Sequence, residues 1–146
     1  MIRRFGEAVR ADQRYRRRPG AYVILERDRR FLLTFQEAPE PEFQLPGGGI
    51  DPGEHPVPAL HREVYEETGY TMGAPRKLGV YKRYCYLPDY GYWAEKVCHI
   101  YTARPIQRLG PPLEKGHTAV WATLNEALVL LTNEGDNWFV ANYFGN

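Results

Sequence analysis

Cysteine is scarce in this chain of 146 residues: only Cys85 and Cys98 occur. Two thiols exclude a disulfide-built scaffold. Long apolar runs are missing as well. The longest, at 127–131, falls far short of the roughly 18 residues that a membrane span needs. The opening MIRRFGEAVR holds no apolar segment of the kind a secretory leader carries, and Glu7 and Asp12 argue against an organelle-targeting peptide. A cytoplasmic location with no membrane contact is therefore expected, with both cysteines as free thiols. No repeat, low-complexity tract or linker interrupts the chain. A single domain over residues 1–146 is expected, preceded by an irregular basic lead-in at 1–19.

What remains is an ordinary globular composition, 43% hydrophobic and 25% charged. A chain of this size can bury a core without disulfide or metal staples. Net charge is only +1, but it is unevenly spread. Residues 1–30 carry ten arginines against four acids, whereas the rest holds 9 basic and 14 acidic residues. A basic arm on an acidic body suits two tasks, meeting an anion and gathering cations.

Strand-like segments at 21–26 and 30–35 flank the polar Arg27-Asp28-Arg29, which predicts a hairpin. A short strand at 43–45 runs into Pro46-Gly47-Gly48-Gly49. A helix is predicted over 56–68. Pro56 suits its first position, and Gly69 suits a left-handed end. Strands at 77–87, 96–103 and 118–123 follow, with helices at 124–131 and 133–144. Strands interspersed with helices at short spacing predict a layered domain of α/β or α+β type.

The chemistry concentrates between Leu45 and Tyr70. On the predicted helix Glu63, Glu66 and Glu67 stand at i, i+3 and i+4, on one side. Val57, Leu60 and Val64 form a neighbouring apolar stripe expected to face the core. Three adjacent carboxylates repel one another, and their natural partner is a hard divalent cation such as Mg²⁺ or Mn²⁺. Ahead of the helix lies a glycine run, where backbone N–H groups can meet phosphate oxygens. Glycine loop, helix and carboxylate face together predict a metal–phosphate site.

This segment resembles the Nudix box, G-x5-E-x7-R-E-U-x-E-E-x-G-U, with U a bulky apolar residue. Gly48, Glu54, Arg62, Glu63, Glu66, Glu67 and Gly69 supply all seven fixed letters at the required spacing. A chance match in a chain this long is on the order of one in a million. Leu45-Pro46 ahead of the box, the 21–35 hairpin and the segment 120–128 extend the resemblance to about 18–131. It implies an α/β/α sandwich, a mixed curved sheet between helices. It also implies metal-dependent hydrolysis of a diphosphate linkage in a nucleoside diphosphate joined to another group. Glu63, Glu66 and Glu67 map onto the family's metal ligands, with the Gly47 carbonyl as a further one and Glu63 ranked first as base. Arg62, four residues before Glu66, is expected to pair with its acidic neighbours and orient the ligands, and Glu54 to act in the same way. A further acid from outside the box often assists in this family, and Glu114 and Glu95 are candidates.

The sequence departs from the pattern modestly. Tyr70 replaces an aliphatic residue, and His55 stands where Ser or Thr is the commoner cap, so no capping box is expected. Arg16, Arg17, Arg18, Lys82 and Arg83 are candidate substrate contacts. The aromatics of 81–93 are expected mainly to pack, with one or two free to stack on a base. The expected partner is a small nucleotide, bound by a monomer or homodimer. An RNA 5′ end and a non-catalytic nucleotide-binding module remain as alternatives. A hairpin turning near Gly91 would set Cys85 and Cys98 almost opposite one another on neighbouring strands.

Overall fold

The computed structural model describes residues 2–145. In chain order its elements are β1 (Arg3–Gly6), β2 (Arg16–Arg27), β3 (Arg30–Gln36), β4 (Glu42–Gln44), β5 (Gly47–Gly49), α1 (Pro56–Thr68), β6 (Tyr70–Met72), β7 (Arg76–Leu87), β8 (Tyr92–Ala103), β9 (Pro105–Arg108), β10 (His117–Thr123), α2 (Leu124–Leu130) and α3 (Glu134–Phe144). A mixed sheet runs in the order β1-β7-β8-β2-β3-β10, with β4 on β3 and β5 on β2. The β1–β7 and β2–β8 pairs are parallel. A separate ribbon joins β6 to β9.

Alternation along β2 divides the core. Ala21, Val23 and Leu25 face one side and pack with Leu60 and Val64 of α1. Ile24 faces the other and packs with Ala127 of α2 and with Phe139 and Val140 of α3. The result is a mixed sheet between helices, the α/β/α arrangement that the sequence predicts. Among the described residues no helix is long and apolar enough to cross a membrane.

The hairpin between β2 and β3 turns at Asp28 and Arg29, both in the left-handed region (φ 52° and 63°). The Arg29 N–H donates to the Glu26 carboxylate at 2.8 Å, which ties the turn to the strand before it. Three expectations need correction. Residues 1–19 are not irregular throughout: β1 pairs with β7, and β2 begins at Arg16. Cys85 lies opposite Ala94 and Cys98 opposite Tyr81, because the hairpin turns between Asp89 and Tyr90 rather than near Gly91; both thiols are free. Val57 is 37% exposed, and Ala59, two residues on around the helix, takes the core position instead.

Helix α1 starts on Pro56 and has no side-chain cap from His55. It stops at Gly69, whose φ is 78° and whose N–H donates to the Tyr65 carbonyl. The Gly69 carbonyl accepts from Leu109 N–H at 2.8 Å, so the backbone of 109–110 lies directly against this cap. A Cβ at Gly69 would collide with the Gly110 carbonyl oxygen. Gly69→Ala combines that collision with a left-handed backbone and should cost about 2–4 kcal/mol. Urea unfolding measures this, and an unchanged midpoint would refute the role given to the cap.

Candidate active site

Helix α1 carries the acidic cluster, and its packing decides how the three glutamates differ. Glu67 follows Val64 by three residues and Leu60 by seven, so it shares their buried stripe. It is therefore buried, at 5% exposure. Glu63 and Glu66 are half-buried at the edge of that stripe. The Gly47 N–H donates to Glu67 Oε1 at 2.9 Å, joining β5 to the helix. A Cβ on Gly48 would stand 3.0 Å from Glu63 Oε1, so the backbone of the glycine run lies directly against a carboxylate.

Arg62 spans the outer face of the cluster. Its guanidinium donates to Glu54 at 2.9 Å and reaches Glu63 and Glu66 at 3.4 Å. Glu54 also accepts from the Asp51 N–H at 3.1 Å. That backbone bond, followed by Arg62, holds the Glu54 carboxyl below its ordinary value. Glu63 moves the other way, raised by burial against the pull of Arg62. Burial pushes Glu67 furthest, up to about 9, although the Gly47 N–H favours its charged form.

Loop 109–116 completes the cluster. The N–H groups of Leu113 and Glu114 both donate to the Glu66 carbonyl, at 2.8 and 2.9 Å. This docks the loop on α1 and brings Glu114 to the helix. Carboxylate oxygens of Glu63, Glu66 and Glu114 lie within 4.8 Å of one another. The same holds for ligand atoms of Glu67, Glu114 and His117. His117, which sequence reasoning did not single out, begins β10. Its Nδ1 lies 3.0 Å from Thr34 Oγ1 and 3.8 Å from Glu67, and its Nε2 lies 3.7 Å from Glu114. A set dominated by carboxylate oxygens fits a hard divalent cation.

A cleft of about 690 Å³ opens beside the cluster. Glu63, Glu67, Glu114 and His117 line one part of it, and Arg83, Tyr86, Tyr90 and Lys96 line another. The basic residues singled out in the sequence divide. Arg83 lines this cleft, and Arg18 lines an adjoining recess against Tyr90. Arg17 instead pairs with Glu95 at 3.0 Å, Lys82 pairs with it at 3.5 Å, and Arg16 covers Tyr92. Glu95, which also accepts from the Tyr84 hydroxyl at 2.8 Å, does not join the acidic cluster. Alternation along β8 puts it on the face of the sheet away from Lys96. Lys96 is the other residue that sequence reasoning missed.

The NUDIX domain model matches residues 15–143, and the chain belongs to the NUDIX family. It is 32% identical over 133 residues to the CMP-5′-(N-acetyl-N-hydroxy-3-aminopropyl)phosphonate hydrolase of Streptomyces rubellomurinus (strain ATCC 31215), covering 86% of this chain and 61% of that one. The chain spans less than two thirds of the length of the curated relatives it matches. Its fold is similar to that of a MutT NUDIX hydrolase from Burkholderia pseudomallei, with a TM-score of 0.70 and 26% identity over 88% of this chain and 98% of that chain. It is also similar to a NUDIX hydrolase from Nitrosomonas europaea, with a TM-score of 0.72 and 20% identity over 89% and 90% of the two chains.

The burial of Glu67 has a consequence for stability. The folded carboxyl keeps its proton up to about pH 9, against an ordinary value of 4.5. Between those values the folded state binds more protons than the unfolded one. The contribution of Glu67 to the stability of the metal-free fold is therefore most favourable below pH 4.5 and becomes less so as pH rises towards 9. Glu67→Gln removes that loss and can keep the Gly47 bond through its amide oxygen. In EDTA the variant should melt roughly 3–6 °C above wild type at pH 8 and level with it at pH 4. Calorimetric melting at the two pH values checks this, and a variant that melts lower at pH 8 would contradict it.

Proposed function

We propose that this protein hydrolyses a phosphoanhydride bond in a small nucleotide, a nucleoside diphosphate joined to a further group, with Mg²⁺ or Mn²⁺. The observation that carries this reading is the convergence of Glu63, Glu66, Glu67 and Glu114 beside the glycine run of β5. Family membership and the class of its hydrolase relatives support it. A cleft of about 690 Å³ suits a ligand the size of a mononucleotide.

Glu63, Glu66, Glu67 and Glu114 would hold the cation, with the Gly47 carbonyl as a further oxygen ligand. The cation supplies positive charge against the phosphate oxygens. The chain's own groups do the remainder. Glu63, half-buried with a raised pKa, takes the proton of the attacking water. Arg62 orients Glu63 and Glu66 from the solvent side, with Glu54 bracing the guanidinium. Glycine at 48 lets the phosphate chain approach without meeting a side chain at that position.

Activity should vanish in EDTA and return with Mg²⁺ or Mn²⁺. Glu63→Gln should lower kcat by about 10²–10⁴-fold on an active nucleotide while the melting temperature holds. A screen of nucleoside triphosphates, dinucleoside polyphosphates and nucleotide sugars, with capped and triphosphorylated RNA as comparison, measures both. Undiminished turnover by the variant would remove Glu63 from the mechanism. Turnover of RNA ends alone would replace the small-nucleotide assignment.

A further inference from the structure

The cleft has a second charged part, built from two strands rather than from the helix. Arg83 on β7 and Lys96 on β8 are directly paired in register and both line the cleft. Lys96 Nζ lies 5.8 Å from the centroid of the Tyr22 ring. Tyr22 is in turn packed beneath the glycine run: a Cβ at Gly47 would stand 2.9 Å from Tyr22 Cδ1. One tyrosine ring therefore separates Lys96 from the backbone beside the glutamates. Lys96 also lines the recess of about 160 Å³ that Arg18 and Gly49 border.

These two cations, like Arg18 in the adjoining recess, differ from three other basic residues around the site. Arg62, Arg17 and Lys82 all have carboxylate partners. Among the described residues neither Arg83 nor Lys96 has a carboxylate within 4.0 Å. Asp136 lies in the same cleft and feels the charge of Lys96, but it stands more than 4.0 Å away and its Oδ1 accepts from the Tyr81 hydroxyl at 2.8 Å. Two half-buried cations side by side repel each other and lose hydration. An anion brought from outside answers both costs. A guanidinium fork beside an ammonium suits the tetrahedral oxygens of a phosphate.

We propose that Arg83 and Lys96 form a subsite for a phosphate group beyond the diphosphate that faces the glutamates, which makes this chain selective for polyphosphate substrates. As a statement about substrate choice this rests on the hydrolase reading above; as a statement about anion binding it does not.

Inorganic tripolyphosphate tests it in EDTA, where the glutamates have no cation with which to hold a phosphate. By calorimetry Lys96→Met and Arg83→Gln should each weaken tripolyphosphate binding at least tenfold, and Lys96→Arg should restore it to within threefold. Ligand-free Lys96→Met should melt at or above wild type, whereas a lysine needed only for packing would lower the melting temperature when replaced. In Mg²⁺, Lys96→Met should raise KM at least tenfold more for a nucleoside triphosphate than for a nucleoside diphosphate joined to a neutral sugar. Tripolyphosphate binding that survives both substitutions overturns the subsite, as does equal loss on the two nucleotides. A wild type that hydrolyses neither nucleotide, yet shows the EDTA result, loses the hydrolase reading and keeps the subsite.

Discussion

The withdrawal of one carboxylate from water is the constraint on which this site depends. Glu67 sits on the same stripe of α1 as Leu60 and Val64, so the packing that seats the helix on the sheet also buries the acid. One backbone N–H, from Gly47, reaches it. That bond fixes the distance between the glycine run and the helix, and hence the width of the gap in which Glu63 and Gly48 meet. A solvent-exposed glutamate could not do this, because it would keep its hydration and its freedom. The fold accepts an unfavourable buried acid beside a cluster of further acids, a common pattern at functional sites.

The second constraint is the docking of loop 109–116. The Glu66 carbonyl belongs to the last turn of α1, where carbonyls lack helical partners. The loop satisfies it with two N–H groups, which brings Glu114 and then His117 to the acids of the helix. The same helix end is closed by Gly69, against which the loop backbone lies. Helix termination and completion of the acidic cluster are thus one local arrangement.

Much of this was legible in the sequence, and the reasons differ by element. Helix α1 matches its expected bounds because Pro56 and Gly69 mark both ends chemically. The glutamate spacing was readable for the same reason, since helical geometry converts spacing directly into direction. The strands β6 and β9 were not foreseen. They are three and four residues long, and pairing between distant short segments leaves no periodic signal. Glu114 could be named only as one of two acids, because its placement comes from a loop bond and not from spacing. Glu95 went the other way through strand alternation, to Arg17, Lys82 and Tyr84. Lys96 stayed hidden because a lysine in a strand reads as exposed until the neighbouring strands are known.

Helix α1 and the 109–116 loop bring acids from separate parts of the chain to one proposed cation site. Titration with Mn²⁺, followed by the electron paramagnetic resonance signal of the free ion, tests it directly. Wild type should remove Mn²⁺ from solution in proportion to protein, and Glu114→Gln should weaken that uptake at least tenfold without lowering the melting temperature in EDTA. Equal Mn²⁺ uptake by wild type and Glu114→Gln, or none by wild type, would contradict the account.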